Sequence, residues 1–419
     1  MNATTTPLLD VAALRRRFPA LQRVVAGRPA AFLDGPGGSQ APDSVIDAIT
    51  AYLRGSNANL GGPFVTSSES DALYERAREA GADFTGSAPD EIAFGANMTT
   101  LNFQLAHAVA RTLKEGDEIV VTQLDHDGNV SPWLRVADDH GLTVHTAPVD
   151  PNDVTLDIDA LEALLSPRTR VVAFTLASNA VGSKPDARRI ADAAHRVGAL
   201  AWADAVHYAP HGRIDRTVLG LDVVVCSPYK FFGPHLGMAS IRKDLAERWP
   251  ADRVRPADEH PAGHRFETGT QSHEALAGFV AAVAYLAELG DGATRRERLD
   301  SAYARITAYE ESLSARALRR LNAIAGVRVY GITDPDRVGE RTPTFSFTID
   351  GHAPRAVAEE LGRDGIFTWD GNYYALNVML ALGLEGHGGA VRAGFLHYTT
   401  TDEVDRLCGA VEAIAARSR

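Results

Sequence analysis

Apolar and polar positions follow two different rhythms along this chain. From about Ala31 to Ala287, short β-branched runs alternate with Ala- and Leu-rich stretches of helical period. The runs Glu118–Thr122, Arg170–Thr175, Ala199–Ala203 and Asp222–Cys226 read as parallel strands covered on both faces. Leu156–Leu165 and Ala187–Val197 read as helices between them, and Gly116-Asp117 and Gly198-Ala199 mark helix-to-strand turns. This βαβ alternation predicts an α/β domain: a mostly parallel sheet with helices on both sides, whose ligands sit at the carboxyl ends of strands. Past the Ala-rich stretch Leu276–Leu289 the rhythm changes. A charged helix over Arg295–Asn322 precedes strands at Val327–Tyr330 and Thr344–Ile349, a helix from Pro354 to Asp364 and a last helix over Asp402–Ala416. That order predicts a smaller α+β domain, with Asp334–Arg341 as its flexible loop.

At 419 residues the chain exceeds what one hydrophobic core usually supports. The change of rhythm divides it into 1–30, an N-terminal segment packing with the small domain, 31–290, the large domain, and 291–419, the small one. The formal net charge of −12 argues against nucleic acid or an anionic membrane as partner, since both want clustered Lys and Arg. Met1 to Leu21 does not read as a signal peptide: Arg15, Arg16 and Arg17 sit inside an amphipathic pattern with Leu14, Phe18 and Leu21. Leu276–Leu289 is too short to span a bilayer and contains Glu288. Two cysteines, Cys226 and Cys408, form neither a disulfide framework nor a metal cluster, which fits a reducing cytoplasm.

Several strand ends carry residues with chemistry. The apolar strand ending Ala-Trp-Ala-Asp204 delivers a carboxylate that needs a cationic or hydrogen-bonding partner if buried. A protonated pyridine nitrogen is one such partner; a turn or N-cap aspartate is the alternative. In Val223-Val-Val-Cys-Ser-Pro-Tyr-Lys-Phe-Phe-Gly-Pro234 another strand ends, and Lys230 follows among aromatics. Burial disfavours an ammonium, and a neutral amine is what an imine requires; a snorkelling surface lysine is the rival. Ser227 can offer its hydroxyl to a phosphate. The spacing between Asp204 and Lys230 fits one strand-to-strand crossover, so both can reach one crevice.

Gly95-Ala-Asn-Met-Thr-Thr-Leu-Asn102 precedes a helical run over Leu101–Leu113, so the amides of Met98 and Thr99 could bind phosphate, or the stretch could be a plain cap. His126, in Thr122-Gln-Leu-Asp-His-Asp-Gly-Asn-Val-Ser-Pro-Trp133, could stack on a ring and move protons near neutral pH, or serve a turn. Asn179 could donate to a phenolic oxygen, or be a loop asparagine. Arg392, in apolar Val391-Arg-Ala-Gly-Phe-Leu-His-Tyr398, needs an anion; an α-carboxylate matches its fork, and an internal salt bridge is the rival.

Taken together and in this order, these motifs resemble the cysteine desulfurase and selenocysteine lyase branch of the class V aminotransferases. The similarity runs from Phe32-Leu-Asp-Gly-Pro-Gly-Gly-Ser39 to Asp402-Glu-Val-Asp-Arg406. It implies a fold type I enzyme with a seven-stranded sheet, pyridoxal 5′-phosphate (PLP) as cofactor and a homodimer with shared active sites. It implies a Schiff base on Lys230, ring-nitrogen pairing by Asp204 and stacking by His126. Asn179 and His207 are implied near the phenolic oxygen, and Met98, Thr99, Ser227 and Tyr229 near the phosphate. Thr270, in Arg265-Phe-Glu-Thr-Gly-Thr-Gln271, would reach the neighbouring subunit's phosphate, and Arg392 would bind substrate carboxylate.

The chain departs from the pattern in three places. Gly365-Ile-Phe-Thr-Trp-Asp-Gly-Asn-Tyr-Tyr-Ala375 stands where desulfurases carry a sulfur-accepting cysteine, and holds none. His207 replaces the glutamine usual three residues after the ring-pairing aspartate, and Gly61-Gly62 replaces a His-Arg pair. The chain therefore resembles the subgroup without a persulfide cysteine, with Trp369, Asp370, Asn372 and Tyr373 shaping the substrate side. The reading is a lyase acting at the Cα/Cβ centre of a small amino acid. Transamination or epimerisation is the alternative within enzymes, and a non-catalytic binder is the alternative outside them; the presence of both Lys230 and Asp204 counts against the binder.

Overall fold

The computed structural model describes residues 9–417. A seven-stranded sheet forms the large domain: β1 (Ile92–Gly95), β2 (Glu118–Thr122), β3 (Thr143–Ala147), β4 (Thr169–Thr175), β5 (Leu200–Asp204), β6 (Val223–Cys226) and β7 (Gly237–Ile241). Their spatial order is β1-β7-β6-β5-β4-β2-β3. Neighbours from β6 to β3 are parallel, and β7 runs antiparallel to both β1 and β6. The continuous apolar runs follow from cover on both faces. Val171 and Ala173 join one core cluster with Trp133 and Trp202, whereas Val172 and Phe174 join the opposite one.

Helices α1 (Asp43–Gly55), α2 (Val65–Thr85), α3 (Met98–Ala110), α4 (Ser131–His140), α5 (Ala187–Arg196), α6 (His273–Glu288) and α7 (Arg295–Leu321) pack around that sheet and lead into the small domain. The predicted start of α3 at Leu101 lies three residues late. Asn97 is its N-cap, accepting from the Thr100 amide at 2.8 Å, so the helix begins at Met98.

In the small domain β8 (Val327–Tyr330), β9 (Thr344–Ile349), β10 (Trp369–Gly371) and β11 (Ala390–Gly394) form an antiparallel sheet in the order β8-β9-β11-β10. Helices α8 (Pro354–Arg363) and α9 (Thr401–Ala416) complete it. The loop Asp334–Arg341, expected to be flexible, is instead a 3₁₀ turn over Pro335–Glu340 with anchors at each end. Arg337 pairs with Asp153 and Glu340, and the buried Arg341 guanidinium donates to the carbonyls of Ile332, Val181 and Thr344. Polar composition there satisfies carbonyls rather than water.

The N-terminal segment touches both domains. Arg15 pairs with Glu403 and Arg17 with Glu288, while Phe18 packs edge-on against Phe232, Tyr285 and Tyr398. Ala31–Phe32 then pairs in parallel with Ile366–Phe367 before the chain enters the large domain. No helix among the described residues is long and apolar enough to cross a membrane.

One buried ion pair pins α2 to the sheet. Arg78 donates to both Glu267 oxygens at 3.0 and 3.1 Å, and the Phe94 amide and Tyr74 hydroxyl donate to the same carboxylate. Arg78→Leu strands that carboxylate without its cation and should lower unfolding free energy by about 3 kcal/mol. Urea denaturation checks this, and a midpoint shift near zero would show that the pair is dispensable.

Candidate active site

Five strand ends and loops converge on one cavity of about 990 Å³. Asp204 closes β5, where the sheet presents its carboxyl ends, and is 2 % exposed. The Val206 amide donates to its Oδ1 at 2.8 Å. Burial pushes the carboxyl up to about 7, against that amide and Lys230. One crossover later β6 ends at Cys226 and a 3₁₀ turn over Pro228–Lys230 carries the lysine inward. Its Nζ donates to the Pro36 carbonyl and lies 4.9 Å from the Tyr229 ring centroid. Burial, then Arg392, hold its ammonium down to about 7, so a neutral amine is accessible near neutral pH.

At the start of α3 the Met98 amide donates to Ser227 Oγ at 3.0 Å, joining a helix N-terminus to the lysine loop. Met98 and Thr99 line the cavity with Ser227 and Tyr229. The Gly128 amide donates to His126 Nδ1 at 2.9 Å, which leaves the neutral ring's proton on Nε2. Burial, then Lys230 and Arg392, lower this histidine to about 4. His207 is held by the Thr342 and Thr344 hydroxyls at 3.2 and 2.9 Å and is also kept neutral by burial.

Arg392, on β11, is 4 % exposed and has no carboxylate partner among the described residues. Its Nη1 donates to the Asn179 carbonyl at 2.8 Å, its guanidinium lies 4.2 Å from the Tyr373 ring centroid, and its Nε has no partner. The internal salt bridge that competed with a ligand in the sequence reading is therefore missing. Asn179 donates to the Tyr373 carbonyl at 2.9 Å, and its buried Oδ1 is likewise unpartnered. Tyr373 and Tyr374 have φ of 55° and 56°, a left-handed pair that costs roughly 1 kcal/mol per residue. The strain is offset by anchors: Tyr373 donates to the Ala390 carbonyl, and the Tyr374 carbonyl accepts from Asp127 at 2.6 Å. Asn372 donates to Glu385 at 3.0 Å.

Of the residues singled out from sequence, Lys230, Asp204, His126, Met98, Thr99, Asn179, His207, Ser227, Tyr229, Arg392, Asn372 and Tyr373 line this cavity. Thr270 does not: it is exposed outside it. Two buried carboxyls escaped the sequence reading. Asp125, bonded by Thr122 and Asn129, is pushed up to about 8 by burial, and the nearby Asp204 charge adds to that rise. Asp34, raised by burial to about 6, faces the charges of Arg392 and Lys230. Both stood inside quoted motifs, but a carboxyl's burial depends on contacts distant in sequence. No grouping of His, Cys, Asp and Glu suited to a metal occurs among the described residues.

Residues 31–407 match the family model described as aminotransferase class-V. The chain belongs to the class V aminotransferase family. It is 32% identical over 96% of its length to the aminotransferase-like protein FGM3 of Gibberella zeae, covering 97% of that protein. It is also 32% identical, over 98% of its length, to a cysteine desulfurase of Synechococcus elongatus, of which it spans 64%. Among solved structures, the apo cysteine desulfurase of Thermococcus onnurineus superposes with a TM-score of 0.85 at 26% identity, covering 99% of this chain and 100% of that one. This class V chain is a PLP-dependent enzyme with the type I fold. The residues present fit that cofactor. A buried carboxyl and a poised amine share one cavity, a helix N-terminus and Ser227 suit a phosphate, and the Asn179 Oδ1 and Arg392 Nε are buried without partners.

Two expectations follow. Borohydride should fix the cofactor to Lys230, and Lys230→Ala should remove the fixed mass from the corresponding peptide by mass spectrometry; retention of that mass elsewhere would move the attachment point. The second concerns acid. His397 is fully buried, its Nε2 2.6 Å from the Tyr285 hydroxyl, and burial lowers it to about 3 from 6.5. Below pH 6.5 the unfolded chain gains protons that the folded histidine refuses, so stability is complete above that pH and declines as it falls towards 3. At pH 5 this one group should cost the apoprotein about 2 kcal/mol relative to pH 7, and His397→Gln should remove that part of the loss in urea titrations at both pH values.

Proposed function

We propose that this enzyme is a carbon–sulfur lyase that cleaves the Cβ–S bond of a small cysteine-derived amino acid by elimination, without passing sulfur to a cysteine of its own. The observation that carries the reading is the position of the two thiols. Cys226 and Cys408 are both fully buried, outside the cavity, and burial raises both thiols well above their usual range. The segment 365–375 at the cavity contains no thiol. The naming of a relative as a cysteine desulfurase supports sulfur chemistry.

When bound, PLP supplies an electron sink for the Cα carbanion. The protein's part begins with Arg392, whose unpaired, desolvated guanidinium holds the substrate carboxylate. Lys230, neutral near pH 7, takes the Cα proton. The Cβ–S pair leaves with sulfur, and His126 Nε2–H is the neutral donor available to protonate it. The remaining enamine tautomerises and takes up water, giving a keto acid and ammonia. Asp204 is the buried carboxyl that would pair with the ring nitrogen of bound PLP and keep it protonated. We further propose a homodimer in the cytoplasm, in which Thr270, exposed outside its own subunit's cavity, meets the partner's phosphate.

The test is product analysis of holoenzyme with S-alkyl cysteines and no added keto acid. Pyruvate, ammonia and free thiol in equal amounts are expected. Turnover only when a keto acid is supplied would replace the lyase by a transaminase, in keeping with the aminotransferase-like relative, and racemised substrate would replace it by an epimerase.

A further inference from the structure

The outer half of the cavity has no task in the chemistry above, and its charge is one-sided. Among the described residues only two lysine or arginine side chains line the cavity, Lys230 and Arg392, and both are already engaged. Four carboxylates line it: Asp204 at the inner end, and Asp127, Asp370 and Glu385 besides. Glu385 accepts from one neutral donor, Asn372, through both oxygens, and Asp127 accepts from the Ser131 hydroxyl. Asp370 meets a cation at 3.3 Å, but that Arg355 side chain is 73% exposed and water-screened. Trp369 and Tyr374 present large apolar faces beside these acids, 52% and 72% exposed.

Carboxylates and open aromatic faces lining one cavity are the chemistry that receives a cation: the rings attract it by their quadrupole, and the acids by charge. The lining comes from both domains. Asp127 follows β2 in the large domain, whereas Trp369, Tyr374 and Glu385 belong to the small one, and the Asp127 amide to Tyr374 carbonyl bond closes them on each other. A cavity of about 990 Å³ lies at the upper end for small-molecule sites. It leaves room beyond the cofactor and the three carbons of cysteine.

We propose that the substrate is a cysteine thioether whose sulfur substituent carries a positive charge, an ammonium or quaternary ammonium group seated among Glu385, Asp127 and the rings of Trp369 and Tyr374. This rests on the lyase reading and names its substrate class. For the simplest such compound, S-(2-aminoethyl)-L-cysteine, the Cα–H and Cβ–S bonds break. The sulfur keeps the bonding pair and gains a proton, and water enters the enamine. Pyruvate, ammonia and 2-aminoethanethiol account for every atom of substrate plus one water, with no oxidant or reductant.

The experiment uses holoenzyme with three thioethers of similar length: S-(2-aminoethyl)-, S-propyl- and S-carboxymethyl-L-cysteine. Two readouts are taken: the apparent Kd from the cofactor absorbance change on titration, and kcat/KM from thiol release. The cationic compound should bind roughly tenfold more tightly than the propyl compound and show a roughly tenfold higher kcat/KM, as one charge-assisted contact provides, with the anionic compound weakest. Glu385→Gln should pull the cation-to-propyl ratio towards one; if it does not retain cofactor colour, Asp127→Asn serves in its place. Equal or better performance by the propyl or carboxymethyl compound would overturn the inference. Failure of all three to release thiol, with the binding order intact, would instead overturn the lyase reading alone.

Discussion

Lys230 and Asp204 are an amine and a carboxyl withdrawn from water into one cavity, and burial brings both to about 7. Neither charge is comfortable there alone. The Val206 amide gives Asp204 one hydrogen bond, and Pro36 takes one from the lysine. The remaining cost is carried by the fold until a ligand with complementary charge arrives. A phosphorylated pyridine is such a ligand, with a cationic nitrogen for the carboxyl and an aldehyde for the amine. Cofactor binding should accordingly be worth a large share of the folded state's stability, since it binds the native arrangement and not the open chain.

The surroundings extend the same logic across both domains. The large domain supplies the parallel strands whose carboxyl ends hold Asp204 and the lysine loop; the small domain supplies Arg392 and the left-handed tyrosine pair. Tyr373 covers the Arg392 guanidinium and also places its carbonyl on Asn179. Strain at that pair is thus spent on fixing three cavity residues at once. The histidines are kept neutral chiefly by desolvation, and the charges of Lys230 and Arg392 act in the same direction.

Much of this architecture was legible in the order of residues. Val171 to Phe174 is apolar at every position because neighbours cover both of its faces, and such β-branched runs between helical stretches read as central strands of an α/β sheet. Lys230 and Asp204 were legible because Asp204 ends such a strand and Lys230 follows the end of the next. The N-terminus of α3 was misplaced because Met98 to Thr100 carry no apolar period; only the Asn97 cap marks it. Asp125 and Asp34 were passed over because the burial of a carboxyl is set by packing from distant segments; Asp34, for instance, bridges to Gly394. The 3₁₀ turn at Pro335 looked free because its anchor, Asp153, lies 184 residues earlier.

The pairing of Ala31–Phe32 with Ile366–Phe367, together with the Asp34–Gly394 bridge and the Arg15–Glu403 ion pair, brings opposite ends of the chain together. A nascent polypeptide can lay down the large sheet well before synthesis ends. It cannot complete the cavity until β11 has left the ribosome and met the earlier segment around Ala31. The interval leaves the lysine loop and its apolar neighbours uncovered on a half-made protein, so the span of translation between those two segments is when this enzyme most needs protection from aggregation.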